Sequence, residues 1–300
     1  MIKSIVEDLS TGRLYTGLRT GLICEIELLN GGTNAKIIRA VRLTSLENCD
    51  GSYGSYPKCG RPLGLKFTPT GTLLVADAYL GLYEIDWTKE KVYTILRAGT
   101  LIDGNDNSPP LRYLNDVDIL PDGRIVLTES STRFDDRDCL YDILEHRPNG
   151  RLLIFDRKTE SLREVVSDLH FPNGVLVLRG KILFSEMGMS RILRYSPSAN
   201  KVDVLIDSLP GYPDNLRKSH DGKTFWVAIP NRREEGLVLR VDGETGKIVE
   251  SMEDATGGRV KAVSCALETS GGSLILGSDS NFYLAKVDVR VIEEQDILPY

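Results

Sequence analysis

The stretch LGLKFTPTGTLLVADAYLGLYEIDWTKEKVYTIL, residues 63–96, decides the fold. A first apolar run ends at a turn containing Gly71. The run Leu73-Leu74-Val75-Ala76 follows, then Gly81-Leu82-Tyr83-Glu84-Ile85, then Lys91-Val92-Tyr93-Thr94-Ile95-Leu96. Several of these alternate apolar and polar residues, as half-buried strands require. Similar runs recur along the chain as RLYTG, RIVLTES, KILFSE, TFWVAI and SLILGS, with turn glycines at Gly12, Gly71, Gly123, Gly180, Gly222 and Gly272. Six such units, each with about four short strands, predict a six-bladed β-propeller rather than a sandwich.

The propeller is expected to occupy residues 1–300 as a single all-β domain, since no linker or low-complexity segment divides the chain. Helical periodicity is confined to residues 136–145, where Leu140, Ile143 and Leu144 fall on one face. That helix interrupts the third unit, and it either forms a lid over one end of the channel or simply packs there. A net charge of −6 gives no basic field for nucleic acid. No run of 18 apolar residues is present to span a bilayer.

The opening residues Met1-Ile2-Lys3-Ser4-Ile5-Val6 lack the apolar segment of a signal peptide and read as the interior of a longer protein. Of five cysteines, Cys49 and Cys59 flank a loop rich in Gly, Ser and Tyr, short enough to be bridged by a disulfide. Such a bridge would contribute about 2–3 kcal/mol by loop entropy and would imply the secretory pathway, as an extracellular or membrane-anchored lumenal domain. Two free loop thiols are the other reading.

In a propeller, the start of each innermost strand lies at the axis. Counting back seven or eight residues from the turn glycines reaches Asn115 and Asp116, Pro172 and Asn173, and Asp214 and Asn215. Oxygen-bearing side chains converging from separate strands suit a hard cation such as Ca²⁺. Asn and Asp also serve turns at strand starts.

The segments 59–86 (CGRPLGLKFTPTGTLLVADAYLGLYEID), 113–138 (YLNDVDILPDGRIVLTESSTRFDDRD), NGRLLIFD, LHFPNGV and LPGYPDNLR resemble strictosidine synthase-like proteins, nearest to the adipocyte plasma membrane-associated protein branch. Paraoxonases and gluconolactonases are more distant in likeness. The resemblance implies a central Ca²⁺ held by Asn115, Asn173, Asp214 and Asn215, and it supports the Cys49–Cys59 bridge. It also implies a ligand Glu at the opening strand, where this sequence has Lys3; Glu7 is a poorer substitute. The glutamate used by strictosidine synthases themselves maps onto Cys265, with Glu268 nearby, which argues against a condensing lyase. The histidine dyad of paraoxonases has no counterpart where Arg61-Pro62-Leu63 stands.

The resemblance further implies calcium-dependent hydrolysis of a small-molecule ester or lactone at the axis. Asp116 or Asp214 would serve as base or nucleophile. Lys3, Arg61, Tyr113, His170 and Cys265 would line the substrate pocket, with Tyr79, Phe134 and Tyr212 at its rim. The competing expectation is a binding propeller that has lost full metal-site competence, as Lys3 suggests.

Overall fold

A computed structural model describes residues 2–103, 107–230, 236–254, 258–281 and 283–288. Six antiparallel sheets follow one another along the chain. The first holds β1 (Ile2–Asp8), β2 (Arg13–Leu18), β3 (Leu22–Leu29) and β4 (Asn34–Arg42). The second holds β5 (Pro62–Phe67), β6 (Leu73–Asp77), β7 (Gly81–Asp86) and β8 (Lys91–Arg97), and is preceded by the short helix α1 (Tyr56–Cys59). The third holds β9 (Tyr113–Ile119), β10 (Ile125–Ser131), β11 (Gly150–Asp156) and β12 (Ser161–Leu169). The fourth contains β13 (Pro172–Leu178), β14 (Lys181–Glu186), β15 (Arg191–Ser196) and β16 (Lys201–Ile206). The fifth has β17 (Leu216–Lys218), β18 (Thr224–Pro230), β19 (Gly236–Asp242) and β20 (Ile248–Asp254). The sixth has β21 (Val263–Glu268), β22 (Ser273–Ser278) and β23 (Ala285–Asp288) among the described residues. The first strands β1, β5, β9, β13, β17 and β21 lie side by side, and β21 adjoins β1 again. The ring closes as a six-bladed propeller.

Binary patterning explains why these strands stack radially. The middle strands are buried on both faces, so they read as continuous apolar runs. In β6, Leu73 and Val75 join the core shared with the first blade, while Leu74 and Ala76 join the core shared with the third. Each of the six gaps between neighbouring blades has such a core. The gap that closes the ring contains Ile2, Ile5, Leu14, Cys24, Cys265 and Ile275. Outer strands such as β8 are largely exposed, which fits their more polar composition.

All six turn glycines sit between the first and second strand of a blade with φ from +65° to +90°. In β13–β14 the turn is only Arg179-Gly180, both at positive φ, the two-residue hairpin geometry. Acidic side chains recur at the end of the second strand, six positions beyond the turn glycine. Asp77 accepts from the backbone of Tyr79 and Leu80 at 2.9 and 3.0 Å. Glu129 accepts from Arg112 N at 2.5 Å, and Glu186 from His170 N at 2.8 Å. Glu129 and Glu186 thus tie down the chain just before the innermost strand of their own blades, while Asp77 holds the turn that follows its own strand.

Cys49 and Cys59 form a disulfide with Cα atoms 5.7 Å apart. It anchors α1 two residues before Arg61. Cys24 and Cys265 are buried free thiols, and Cys139 is half-buried.

The predicted helix is present as a 3₁₀ turn (Asp136–Asp138) running into α2 (Cys139–Glu145). Its predicted apolar face divides differently. Cys139 and Ile143 pack toward the axial mouth, whereas Leu140 and Leu144 are 62% and 67% exposed. Cys139 and Ile143, an i, i+4 pair, both line the axial cavity.

Candidate functional site

The innermost strands do not enter the axis as regular ladders. Pairing slips between Ile2 and Ile5, Pro62 and Gly64, Pro172 and Val175, and Val263 and Cys265, and opposite Leu127 and Glu129 for β9. In the fifth blade, Asp214 N donates to Ala228 O and Ala228 N donates to Asn215 O, so two residues face one. Such bulges re-aim a side chain. They turn Lys3, Leu63, Asn115, Asn173 and Asp214 onto one cavity of about 190 Å³. Arg61, Tyr113, Asp136, Cys139, Ile143, Phe171, Met187, Pro230 and Asp279 complete its walls.

Charge dominates one side of this cavity. Lys3 Nζ donates to Asp214 Oδ1 at 2.7 Å and Oδ2 at 2.5 Å, and lies 3.5 Å from Asp279 Oδ2. Arg61 Nη2 donates to Asp279 Oδ1 at 3.1 Å, and its Nε is 3.8 Å from Asp136 Oδ2. Tyr113 donates its hydroxyl to Asp136 at 2.9 Å. Burial works against the Lys3 ammonium, but Asp214 and Asp279 outweigh it and hold its pKa above that of an ordinary lysine. Burial pushes the Asp214 carboxyl up to about 7, against the pull of Lys3. Although desolvation opposes its ionisation, Lys3 and Arg61 hold Asp279 below the usual carboxylate range.

Three buried polar atoms in these walls have no hydrogen-bond partner among the described residues: Asn115 Oδ1, Asn173 Oδ1 and Arg61 Nη1. Asn115 Nδ2 donates to Ser130 Oγ at 2.9 Å, and Asn173 Nδ2 rests 3.9 Å from Met187 Sδ. An orphaned buried polar atom is costly unless a ligand or water completes it. The cavity therefore offers two acceptors and one charged donor, beside an apolar wall of Leu63, Ile143, Phe171 and Met187.

The two asparagine oxygens suit a cation, but the whole donor set does not fit Ca²⁺. Both oxygens of Asp214 are occupied by the Lys3 ammonium. A divalent ion on the same carboxylate would face that fixed positive charge, and the other two carboxylates of the cavity are engaged as well, Asp279 by Lys3 and Arg61 and Asp136 by Tyr113. Among the described residues, no three His, Cys, Asp or Glu side chains cluster as a metal site.

Four residues expected at the site are directed elsewhere. Asp116 is the second residue of its bulge and turns down the axis, away from Asn115. There its Oδ2 accepts from Arg217 Nη1 at 2.9 Å and from Val175 N at 3.2 Å. Arg217 Nη2 also donates to Ser4 Oγ at 2.5 Å, and its Nη1 to Leu216 O at 2.8 Å. This guanidinium fills the axis beneath the cavity. Asn215 likewise follows Asp214 and turns away, donating through Nδ2 to Lys3 O and Ser264 O. His170 stacks on His146 with ring centroids 4.8 Å apart and lies against Glu186, outside the cavity walls. Cys265 is packed in the core that closes the ring. Glu7 is held by Ser270 N and Oγ at 2.7 and 2.6 Å. Of the proposed rim, Tyr79 and Tyr212 pack on the apolar wall, while Phe134 lies beneath the Arg133 guanidinium.

Asp136 and Asp279 are the charged wall residues absent from the sequence expectation. Asp279 follows directly on the second strand of the last blade, close to the register where Asp77, Glu129 and Glu186 recur. That repeated acidic position was a readable signal.

A family model described as strictosidine synthase matches residues 115–200. The chain is similar to the adipocyte plasma membrane-associated protein of Salmo salar, 33% identical over 93% of this chain and 74% of that protein. The protein of the same name from Danio rerio is 32% identical over 93% and 73%. Among solved structures, the calcium-binding protein regucalcin from Agrobacterium tumefaciens superposes with a TM-score of 0.64 at 16% identity, covering 94% of this chain and 84% of that one. A luciferin-regenerating enzyme superposes with a TM-score of 0.61 at 13% identity, covering 94% and 86%. A protein described as a candidate gluconolactonase gives 0.62 at 15%, covering 93% and 86%.

Proposed function

The chain belongs to the adipocyte plasma membrane-associated protein family, and within it we propose that the axial cavity binds and hydrolyses a small ester or lactone. The observation that carries this reading is the meeting of a charged donor with no partner among the described residues, Arg61 Nη1, with a buried carboxylate of raised pKa, Asp214, on one small cavity. The substrate carbonyl oxygen accepts from Arg61 Nη1, with the Lys3 ammonium beside it as a second positive charge. Preorganised donors of this kind stabilise the oxyanion that forms on attack. Asp214 takes the proton of an attacking water, a role suited to a group that titrates near neutrality. Water oxygen bonds to the acyl carbon, the bond to the alcohol oxygen breaks, and the proton passes from Asp214 to the leaving alkoxide. The acid departs as a carboxylate and releases a proton. Asn115 Oδ1 and Asn173 Oδ1 are placed to accept from the water or from substrate hydroxyls. Solved propellers of similar fold, described as a luciferin-regenerating enzyme and a candidate gluconolactonase, accord with a small-molecule substrate.

A cavity of about 190 Å³ lies below the range of about 300–1,000 Å³ usual for drug-sized ligands, so the substrate is compact. The disulfide fits a secreted or lumenal domain. Among the described residues, no helix is long and apolar enough to cross a membrane.

A panel of aryl esters and five- and six-membered lactones tests this reading. We expect turnover of at least one class, rising with pH through about 7 as Asp214 loses its proton, and a loss of about 100-fold or more in Asp214→Asn. No turnover across the panel, or an Asp214→Asn variant as active as the parent, overturns it. One observation favours a second reading, that of a binding module without catalysis: Lys3 and Arg61 are each already paired with a carboxylate. Saturable binding of a panel member without turnover supports that alternative.

A further inference from the structure

We infer that Lys3 is the built-in axial cation of this propeller, holding with its ammonium the place that a divalent ion would otherwise take. Three observations support this. Lys3 Nζ contacts both oxygens of Asp214 and lies 3.5 Å from Asp279, so two of the three carboxylates lining the cavity are already engaged by it. The backbone of Lys3 is fixed independently of its side chain, because Asn215 Nδ2 donates to Lys3 O at 2.9 Å and Ser264 Oγ donates to it at 3.1 Å. Whatever residue stands at position 3 is thereby aimed into the cavity. Finally, Asn115 Oδ1 and Asn173 Oδ1 have no partner among the described residues and line the same cavity, so the site keeps neutral oxygen donors while an amine stands among its carboxylates.

Replacing that amine with a carboxylate should complete the set. Lys3→Glu would add a carboxylate to a cavity already lined by Asp214, Asp279 and two amide oxygens, enough charge to balance a divalent ion. Water would fill the remaining positions of the six to eight that Ca²⁺ takes. The inference does not depend on hydrolysis, because it concerns occupancy of the site and is read by binding alone.

The experiment uses the protein freed of metal by chelator and then dialysed. Ca²⁺ is titrated calorimetrically into the parent, Lys3→Glu and Lys3→Gln, and thermal melts are recorded with and without 10 mM Ca²⁺. The parent is expected to show no binding isotherm and an unchanged melting temperature. Lys3→Glu is expected to bind one Ca²⁺ at least tenfold more tightly than Lys3→Gln, and to melt higher when Ca²⁺ is present. Stoichiometric binding of Ca²⁺ by the parent overturns the inference without recourse to any variant. So does a Lys3→Glu protein that is folded by circular dichroism yet binds Ca²⁺ no better than Lys3→Gln. If Lys3→Glu is unfolded after chelation, the inference requires Ca²⁺ to restore its structure, and failure to do so counts against it.

Discussion

Asp116 and Arg217 form the axial pair beneath the cavity, and separating them should cost stability rather than chemistry. The Asp116 carboxylate is fully buried and Arg217 is 8% exposed. They meet at 2.9 Å, with a second contact at 3.5 Å. Asp116→Asn keeps the shape of the side chain but strands a buried guanidinium, which loses its counter-charge while keeping Ser4 Oγ and Leu216 O as acceptors. Removing one partner of a buried pair costs about 3–5 kcal/mol. The remaining acceptors place Asp116→Asn near the lower value. Arg217→Met strands the carboxylate instead and should cost a similar amount. The double variant should lose at least about 2 kcal/mol less than the sum of the two single losses, because the second change removes the charge that the first left unpaired. Denaturant unfolding at pH 7 measures all four proteins. An Asp116→Asn protein within about 0.5 kcal/mol of the parent, the range of ordinary surface substitutions, would refute the assignment, as would strict additivity in the cycle. Loss of axial-site function in a fully folded Asp116→Asn protein would restore Asp116 to the chemistry.

Two further outcomes follow from the geometry. Burial raises the Asp77 carboxyl to about 6 from its ordinary 3.8, despite the opposing backbone donors. The folded state thus holds this proton more tightly than the unfolded chain, so its contribution to stability is largest below about pH 4 and is lost as pH rises toward 6. Asp77→Asn should remove that loss, gaining about 1–3 kcal/mol at pH 7 over the parent and nothing at pH 3.5; an equal effect at both values would contradict the burial argument. A Cβ added at Gly174 would lie 2.6 Å from Asn215 Cα and Asp214 O. Gly174→Ala should therefore push Asp214 off its position, costing about 1–3 kcal/mol and weakening any axial ligand, which a melt and a ligand titration would detect.

The six turn glycines were sufficient to reveal the blade count, because each marks a hairpin whose loop must adopt positive φ. The axial positions were legible only to within one residue, for two physical reasons. Hairpin length varies, so Asn173, behind the two-residue turn at Arg179-Gly180, lies seven positions before its glycine. Asn115 and Asp214 lie eight before theirs, and Lys3 lies nine before Gly12. The bulges also interrupt the period-two alternation where neighbours such as Asn115 and Asp116 must be assigned to opposite directions. Periodicity cannot say which member of the pair faces the cavity. Arg217 was visible in the motif LPGYPDNLR, but its role as an axial plug depends on Asp116 and Ser4, which reach it from other blades. The division of α2 between Ile143 inside and Leu140 outside depends on how the helix is rotated over the mouth, which the helical period leaves open.

Positive charge at the axis comes from the chain itself, through Lys3 and Arg61. Hydrolysis of the ester and lactone panel by the parent protein, assayed in excess chelator and again with Ca²⁺ supplied, beside Lys3→Met under both conditions, tests it most directly. Parent rates should be equal within about twofold in the two conditions, with a fall of about 100-fold or more in Lys3→Met, the scale of losing an electrostatic stabiliser at the reacting oxygen. Parent turnover that disappears with chelator and returns with Ca²⁺ would contradict it.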